Sequence, residues 1–213
     1  MLKNLPEKTV ERLSQYRRVL LNYQFLEHGY IYSHNLARIL KTNPANVRRD
    51  LMLIGVSGDV HKGYEIVKLI ESIGDAIDGE QAEKVCFVGI GELGRTVSEY
   101  FSQPSNKLKI AATFHFDNHQ PVAYSDVPSH NISTISEIIK KEDILISVLA
   151  VPKDYAREIC MILVNSGVIG ILNFSSVYLQ VPKHVYVENY DMITKLEKIA
   201  YFMKRHSVNN RKS

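Results

Sequence analysis

What this chain lacks narrows its chemistry first. It has two cysteines in 213 residues, Cys86 and Cys160, with no C-x-x-C spacing. That disfavours a disulfide scaffold or a cysteine zinc site, and buried structural thiols are expected, one in a strand and one in a helix. The eight histidines show no H-E-x-x-H or other tight ligand spacing, and no G-x-S-x-G turn occurs. Neither a metal site nor a serine nucleophile is expected. No run approaches the ~18 apolar residues of a membrane helix, and the start of the chain has no signal-peptide core. A cytoplasmic protein without a membrane partner is expected. Internal repeats and low-complexity tracts are also missing.

What is present is ordinary in amount and uneven in placement. Hydrophobic residues make up 45% and charged residues 23%, which suits one large globular domain or two small ones. The formal net charge is +3, and residues 1–75 hold the whole excess, with eleven Lys/Arg against eight Asp/Glu. That placement points to a polyanionic partner at this end.

Residues 84–175 alternate short apolar runs with helical patterns. Strands are expected at 85–88, 109–114 and 144–148, with a further apolar run at 168–174. Helices are expected at 93–101, 134–140 and 154–165. Repeated β-α-β units imply a parallel sheet covered on both faces, so strands without polar alternation fit a doubly wound, Rossmann-type α/β domain. One more helix is expected at 190–204, and the tail SVNNRKS is expected to be disordered.

Residues 1–63 are organised differently. A long helical pattern covers 7–27, and Ser33 is a candidate cap for a short helix with Leu36, Ala37 and Leu40 inward. Lys41-Thr42-Asn43 makes a turn, Asn43 can cap the next helix, and Pro44 suits its first position. Val47, Leu51 and Ile54 would face the core, leaving Asn46, Arg48 and Arg49 outside. This is a helix-turn-helix pattern, and Arg and Asn are the usual bidentate readers of guanine and adenine. The glycine-rich GVSGDVHKGYEI that follows suggests a hairpin wing, and 64–77 a helical connector. The expected domains are therefore 1–77, a winged DNA-binding helix, and 78–213, a dinucleotide-binding and dimerisation unit.

The stretch VGIGELG, 88–94, lies between a strand and a helix. Gly89 would allow the tight turn, Gly91 the approach of a pyrophosphate, and Gly94 close packing of helix on strand. Glu92 sits awkwardly beside a pyrophosphate. An acidic residue about 20 positions on should grip the ribose. His115 is 21 residues past Gly94 and Asp117 is 23 past. If the ribose position is 115 the carboxylate is missing; if it is 117 it is present. A nicotinamide-dependent oxidoreductase with an N-terminal interaction module is the competing reading, but the chain has no room for the ~100-residue substrate domain such enzymes add.

With these parts together, the chain resembles the Rex family of bacterial redox-sensing transcriptional repressors from Leu13 to Phe202. NVRRDLMLIG is similar to the family's Q-V-R-K-D-L-x-x-F-G reading helix, and GDVHKGY keeps the spacing of its G-x-R-G-V-G-Y wing. VGIGELGR, AVP at 150–152, GILNF and VPKHVYVENYD match its later motifs. The resemblance implies a homodimer with swapped C-terminal helices that binds a palindromic double-stranded operator, releases it when NADH binds and so reports the NADH/NAD ratio. It implies nucleotide contacts from Gly89, Ile90, Gly91, Glu92, Leu93, Gly94, His115, Asp117, Val151, Pro152, Asn173 and Phe174. DNA contacts fall to Asn46, Arg48, Arg49, His61 and Lys62, and a partner-exchanging switch to Arg18, Tyr100 and Asp191. No catalytic residue is implied. The chain departs from the family at Val60 for the wing arginine, His61-Lys62 for Gly-Val, His115 for an aspartate and Ser176 for a proline. A Rex-like repressor with altered nucleotide preference or lost sensing is a further alternative.

Overall fold

The computed structural model describes residues 4–23, 29–89, 107–116 and 127–210, with side chains through Arg205. The chain forms two compact units, residues 1–80 and 81–213.

In the first unit, helix α1 (Glu7–Tyr23) buries Leu13, Tyr16 and Leu20 completely. Helix α2 (Ser33–Ile39) and helix α3 (Pro44–Leu53) follow, and helix α4 (Ile66–Ile77) packs along α1 through Leu69 and Ile73. Helix α3 starts as its sequence requires. Asn43 is extended (φ −95°, ψ 133°), its side chain accepts the Ala45 N–H at 2.8 Å, and Pro44 occupies the first turn. Val47 and Leu51 are fully buried and Ile54 is 7% exposed, so the i, i+4, i+7 stripe faces the core.

Three local expectations change. Ser33 is the first helical residue rather than a cap; the capping position is Tyr32, which makes no side-chain cap, and the Ser33 hydroxyl instead accepts from Arg48 at 3.2 Å. The expected hairpin forms but is short, and the strand after it pairs elsewhere. Strand β2 (Tyr64–Glu65) pairs antiparallel with strand β1 (Tyr30–Ile31), which precedes α2, and only Asp59 and Gly63 bridge locally. Gly63 is required there: at φ +81° a Cβ would lie 2.5 Å from the Ile31 carbonyl oxygen. The connecting helix accordingly begins at Ile66 rather than at 64.

The second unit is a six-stranded parallel sheet. Its strands are β3 (Glu83–Val88), β4 (Leu108–His115), β5 (Ser129–Asn131), β6 (Ile146–Leu149), β7 (Gly170–Asn173) and β8 (Tyr186–Asn189). Their spatial order is β5-β4-β3-β6-β7-β8, so the chain winds outward from β3 in one direction, then returns and winds outward in the other. Val85, Cys86, Phe87 and Val88 are all at most 2% exposed, as a central strand covered on both faces demands. Helices α5 (Ile135–Glu142) and α6 (Lys153–Asn165) supply Ile139, Ile159 and Leu163 to the core beside Cys86 and Val88. Cys160 is buried in the same core. Helix α7 (Met192–Asn210) closes the described chain and extends into the tail that was expected to be disordered. That stretch contains no glycine or proline to stop a helix.

Candidate functional site

In a doubly wound sheet, ligands bind outside the carboxyl ends of the strands where the winding reverses. Here that point lies between β3 and β6. Gly89 follows β3 directly, with φ +76°; a Cβ on it would sit 2.6 Å from Val151 Cγ1 and 2.7 Å from the Ala150 carbonyl oxygen. The position therefore needs glycine for both its backbone angle and its space. The turn is tied on both sides. The Gly89 N–H donates to the Phe114 carbonyl at 3.0 Å, and the Ala150 N–H donates to the Val88 carbonyl at 2.9 Å. Ile90, Gly91, Glu92, Leu93, Gly94, Tyr100 and Asp117 lie outside the described residues.

The crevice brings several expected residues to one edge of the sheet. Val151 is buried and Pro152 exposed after β6. His115 ends β4, the strand beside β3, and its Nδ1 lies 3.0 Å from the Ser129 hydroxyl of β5. Asn173 ends β7, but its amide is committed to the protein. Its nitrogen donates to the Val177 carbonyl and to Asn189 Oδ1, each at 2.8 Å. Its oxygen accepts from the Ser175 N–H at 3.0 Å and from the Ser175 hydroxyl at 2.6 Å. Both donors and both acceptor positions are thus taken, and Asn173 shapes the loop after β7. Phe174 is half-exposed and packs on Tyr190 with ring centroids 4.9 Å apart. The two flank a depression of about 360 Å³ that also reaches Ser176 and Asp191.

Asp191 heads α7. Its carboxylate accepts from the Thr194 hydroxyl at 2.6 Å and the Thr194 N–H at 3.0 Å, and these bonds hold its carboxyl below the ordinary value. Arg18 is exposed on α1 in the other unit.

On the first unit, Asn46, Arg48 and Arg49 are all exposed on one helix. Arg48 leans on Ser33, the bond described above. The wing tip is an Asp59 turn: its carboxylate accepts the His61 N–H at 2.7 Å and the Lys62 N–H at 2.8 Å. Those two N–H groups, Lys62 first, hold the Asp59 carboxyl low. The Tyr32 hydroxyl donates to the His61 carbonyl, so the wing is pinned to the start of α2. Val60, where the resemblance places arginine, is 89% exposed.

A polar cluster beneath α3 was not legible in the sequence. Asp50 follows the two arginines but is only 1% exposed. Arg12 Nε and Nη2 each donate to its carboxylate at 2.6 Å, the Tyr16 hydroxyl donates at 2.8 Å, and the Thr9 hydroxyl at 3.3 Å. Burial alone would raise the Asp50 carboxyl, but the bonds from Arg12, Tyr16 and Thr9 bring it below the ordinary value. Burial pushes the Tyr16 phenol up, and the bond to Asp50 raises the Arg12 guanidinium further. The only signal available was the i, i+3 step from Val47 to Asp50, which puts the carboxylate at the edge of the buried stripe.

The two thiols are closed to chemistry. Burial pushes Cys86 up to about 12 and raises Cys160, so both are protonated and shielded. Among the described residues, no group of His, Cys, Asp and Glu could hold a metal ion, and no helix is long and apolar enough to cross a membrane.

The family model "Putative DNA-binding protein N-terminus" matches residues 4–51, and the model "CoA binding domain" matches residues 80–177. The redox-sensing transcriptional repressor Rex of Streptococcus uberis is 34% identical over 206 residues, covering 95% of this chain and 97% of that one. Among solved structures, RSP in complex with beta-NAD+ and operator DNA superimposes with a TM-score of 0.82 at 23% identity, covering 98% of this chain and 97% of that one. RSP in complex with beta-NADH gives 0.82 at 22% identity, covering 99% and 100%. These two likenesses concern the fold; the full-length identity to the streptococcal repressor goes further. On that identity, the chain belongs to the Rex family of redox-sensing transcriptional repressors.

Proposed function

We propose that this protein is a DNA-binding transcriptional repressor that senses the NADH/NAD state and leaves its operator when NADH binds. The observation that carries the reading is that similarity runs through both units, 95% of the chain, rather than through the sheet alone. An oxidoreductase would share only the nucleotide-binding half. The solved relative RSP has been seen with beta-NAD+ and operator DNA together and with beta-NADH. The parallel sheet with a glycine turn at its winding reversal suits a dinucleotide. The protein carries out no reaction on that nucleotide and works in the cytoplasm.

Gly89 to Gly94, His115, Asp117, Val151, Pro152 and Phe174 line the nucleotide, and Asn173 acts by shaping their loop. Asn46, Arg48 and Arg49 read the major groove while His61 and Lys62 approach an adjacent groove. The repressor is a homodimer on an inverted-repeat operator, since paired helix-turn-helix units read half-sites about one helical turn apart. Helix α7 supports this: Ile193, Leu196, Ile199 and Met203 are each more than half exposed along one stripe. Arg18, Tyr100 and Asp191 form the ligand-biased switch.

The test is a titration of NADH, NAD and NADPH into the purified full chain by calorimetry, followed by operator release measured with each. Release by NADH at concentrations where NAD leaves the complex intact is expected. Failure to bind any dinucleotide at millimolar concentration, or turnover of a nicotinamide substrate, would overturn the reading.

A further inference from the structure

Helix α1 is fastened to two different places by two arginines five residues apart. Arg12 grips Asp50 under the reading helix, as described above. Arg17 grips Asp78, with its Nη1 2.6 Å from Oδ2, and the two side chains are only 18% and 15% exposed. Asp78 is the C-terminal cap of α4, and residues 78–82 are all that separate α4 from the first strand of the nucleotide-binding unit. The cap is itself held, because the Asp78 N–H donates to the Gly74 carbonyl at 2.8 Å.

Gly74 strengthens the case. Glycine weakens a helix, and α4 gives no backbone reason for one. A Cβ at 74 would stand 3.3 Å from Asp78 Oδ2 and 3.9 Å from Arg17 Nη1. The missing side chain leaves the space that the ion pair fills.

We infer that Arg17 and Asp78 are positioning residues for ligand-controlled DNA release: they tie the segment entering the nucleotide-binding unit to α1, and α1 carries that tie to α3 through Arg12 and Asp50. A displacement of residues 78–82 is passed to a partly buried, charge-paired contact rather than dissipated in a slack linker. Two rigid attachments on one helix then move the reading helix with it. The inference rests on the proposed function.

The experiment uses the full chain and an operator duplex selected from random-sequence DNA. Operator affinity is measured by fluorescence anisotropy with and without saturating NADH, for the wild type, Asp78→Asn, Arg17→Gln and the charge-swapped pair Arg17→Asp/Asp78→Arg. Coupling between two sites of this kind commonly amounts to about 5–150-fold in affinity. The NADH effect on operator affinity is expected to shrink about tenfold in the single variants, with NADH binding to free protein unchanged, and to recover in the swapped pair. Linkage requires the operator's effect on NADH affinity to shrink by the same factor. A purely structural pair would lower both operator affinities together and leave their ratio intact, which overturns the inference. A wild type that does not respond to NADH overturns the functional reading and this inference with it.

Discussion

The carboxylate at position 50 is charged, buried and fully engaged, and this sets how the N-terminal unit meets acid. Its folded pKa lies below the ordinary 3.8, so its ionised form stabilises the fold above that value. The contribution is lost as pH falls through the folded pKa. Operator binding and helix content are expected to collapse together in a pH titration below about 4. Asp50→Ala would strand Arg12 and the Tyr16 hydroxyl, at a cost of about 3–5 kcal/mol in denaturant unfolding. An unchanged midpoint would show that the cluster is dispensable. His115 poses the opposite question, since the resemblance implies a carboxylate where this chain ends β4 with an imidazole. It neither accepts two ribose hydroxyls nor repels a 2′-phosphate, and Ser129 fixes its ring. His115→Asp is expected to widen the preference for NADH over NADPH about tenfold, the scale of one charge-assisted hydrogen bond. Equal ratios in calorimetric titrations of both proteins would remove His115 from the ribose site.

Elements differ in how plainly their residues announce them. Helix α3 could be placed from Asn43, Pro44 and the stripe Val47, Leu51, Ile54, because cap, first-turn proline and burial all act within the stretch from Asn43 to Ile54. Strands β3, β4, β6 and β7 showed as short, mainly apolar runs without polar alternation for the same local reason. The edge strands β5 and β8 did not: Ser129-His130-Asn131 and Tyr186-Val187-Glu188-Asn189 are half-buried or exposed and carry no apolar run. The β1–β2 pair was hidden because its halves lie more than thirty residues apart, and a hairpin built on nearby glycines was the simpler local solution. The same distance concealed the Asp50 cluster, whose donors come from α1. On α3 itself, Arg48→Ala or Arg49→Ala is expected to cost about 1–3 kcal/mol of operator affinity if the side chain reads a base, and to relax sequence preference at one position. A phosphate contact would instead weaken all sequences alike and flatten the salt dependence. Loss of neither affinity nor selectivity in the double variant would remove α3 from the interface.

At the scale of the whole molecule, α7 carries an apolar stripe, Ile193, Leu196, Ile199 and Met203, that is exposed among the described residues. If the protein is the proposed homodimer, Leu196→Glu together with Ile199→Glu is expected to yield monomers in sedimentation, with operator affinity down by about two orders of magnitude or more once the half-sites are read singly. A stable dimer with normal affinity would place the subunit contact elsewhere. The two buried thiols have a different consequence. A detector wired through cysteine is consumed by the event it reports and must be reduced again before it can report another. Here neither sulfur is presented to an oxidant, so thiol-alkylating reagents should label both residues only after unfolding. The protein then works as a meter and not as a fuse: it follows a freely exchanging carrier up and down, needs no repair between readings, and its two sulfurs stay out of reach of oxidants that modify exposed thiols.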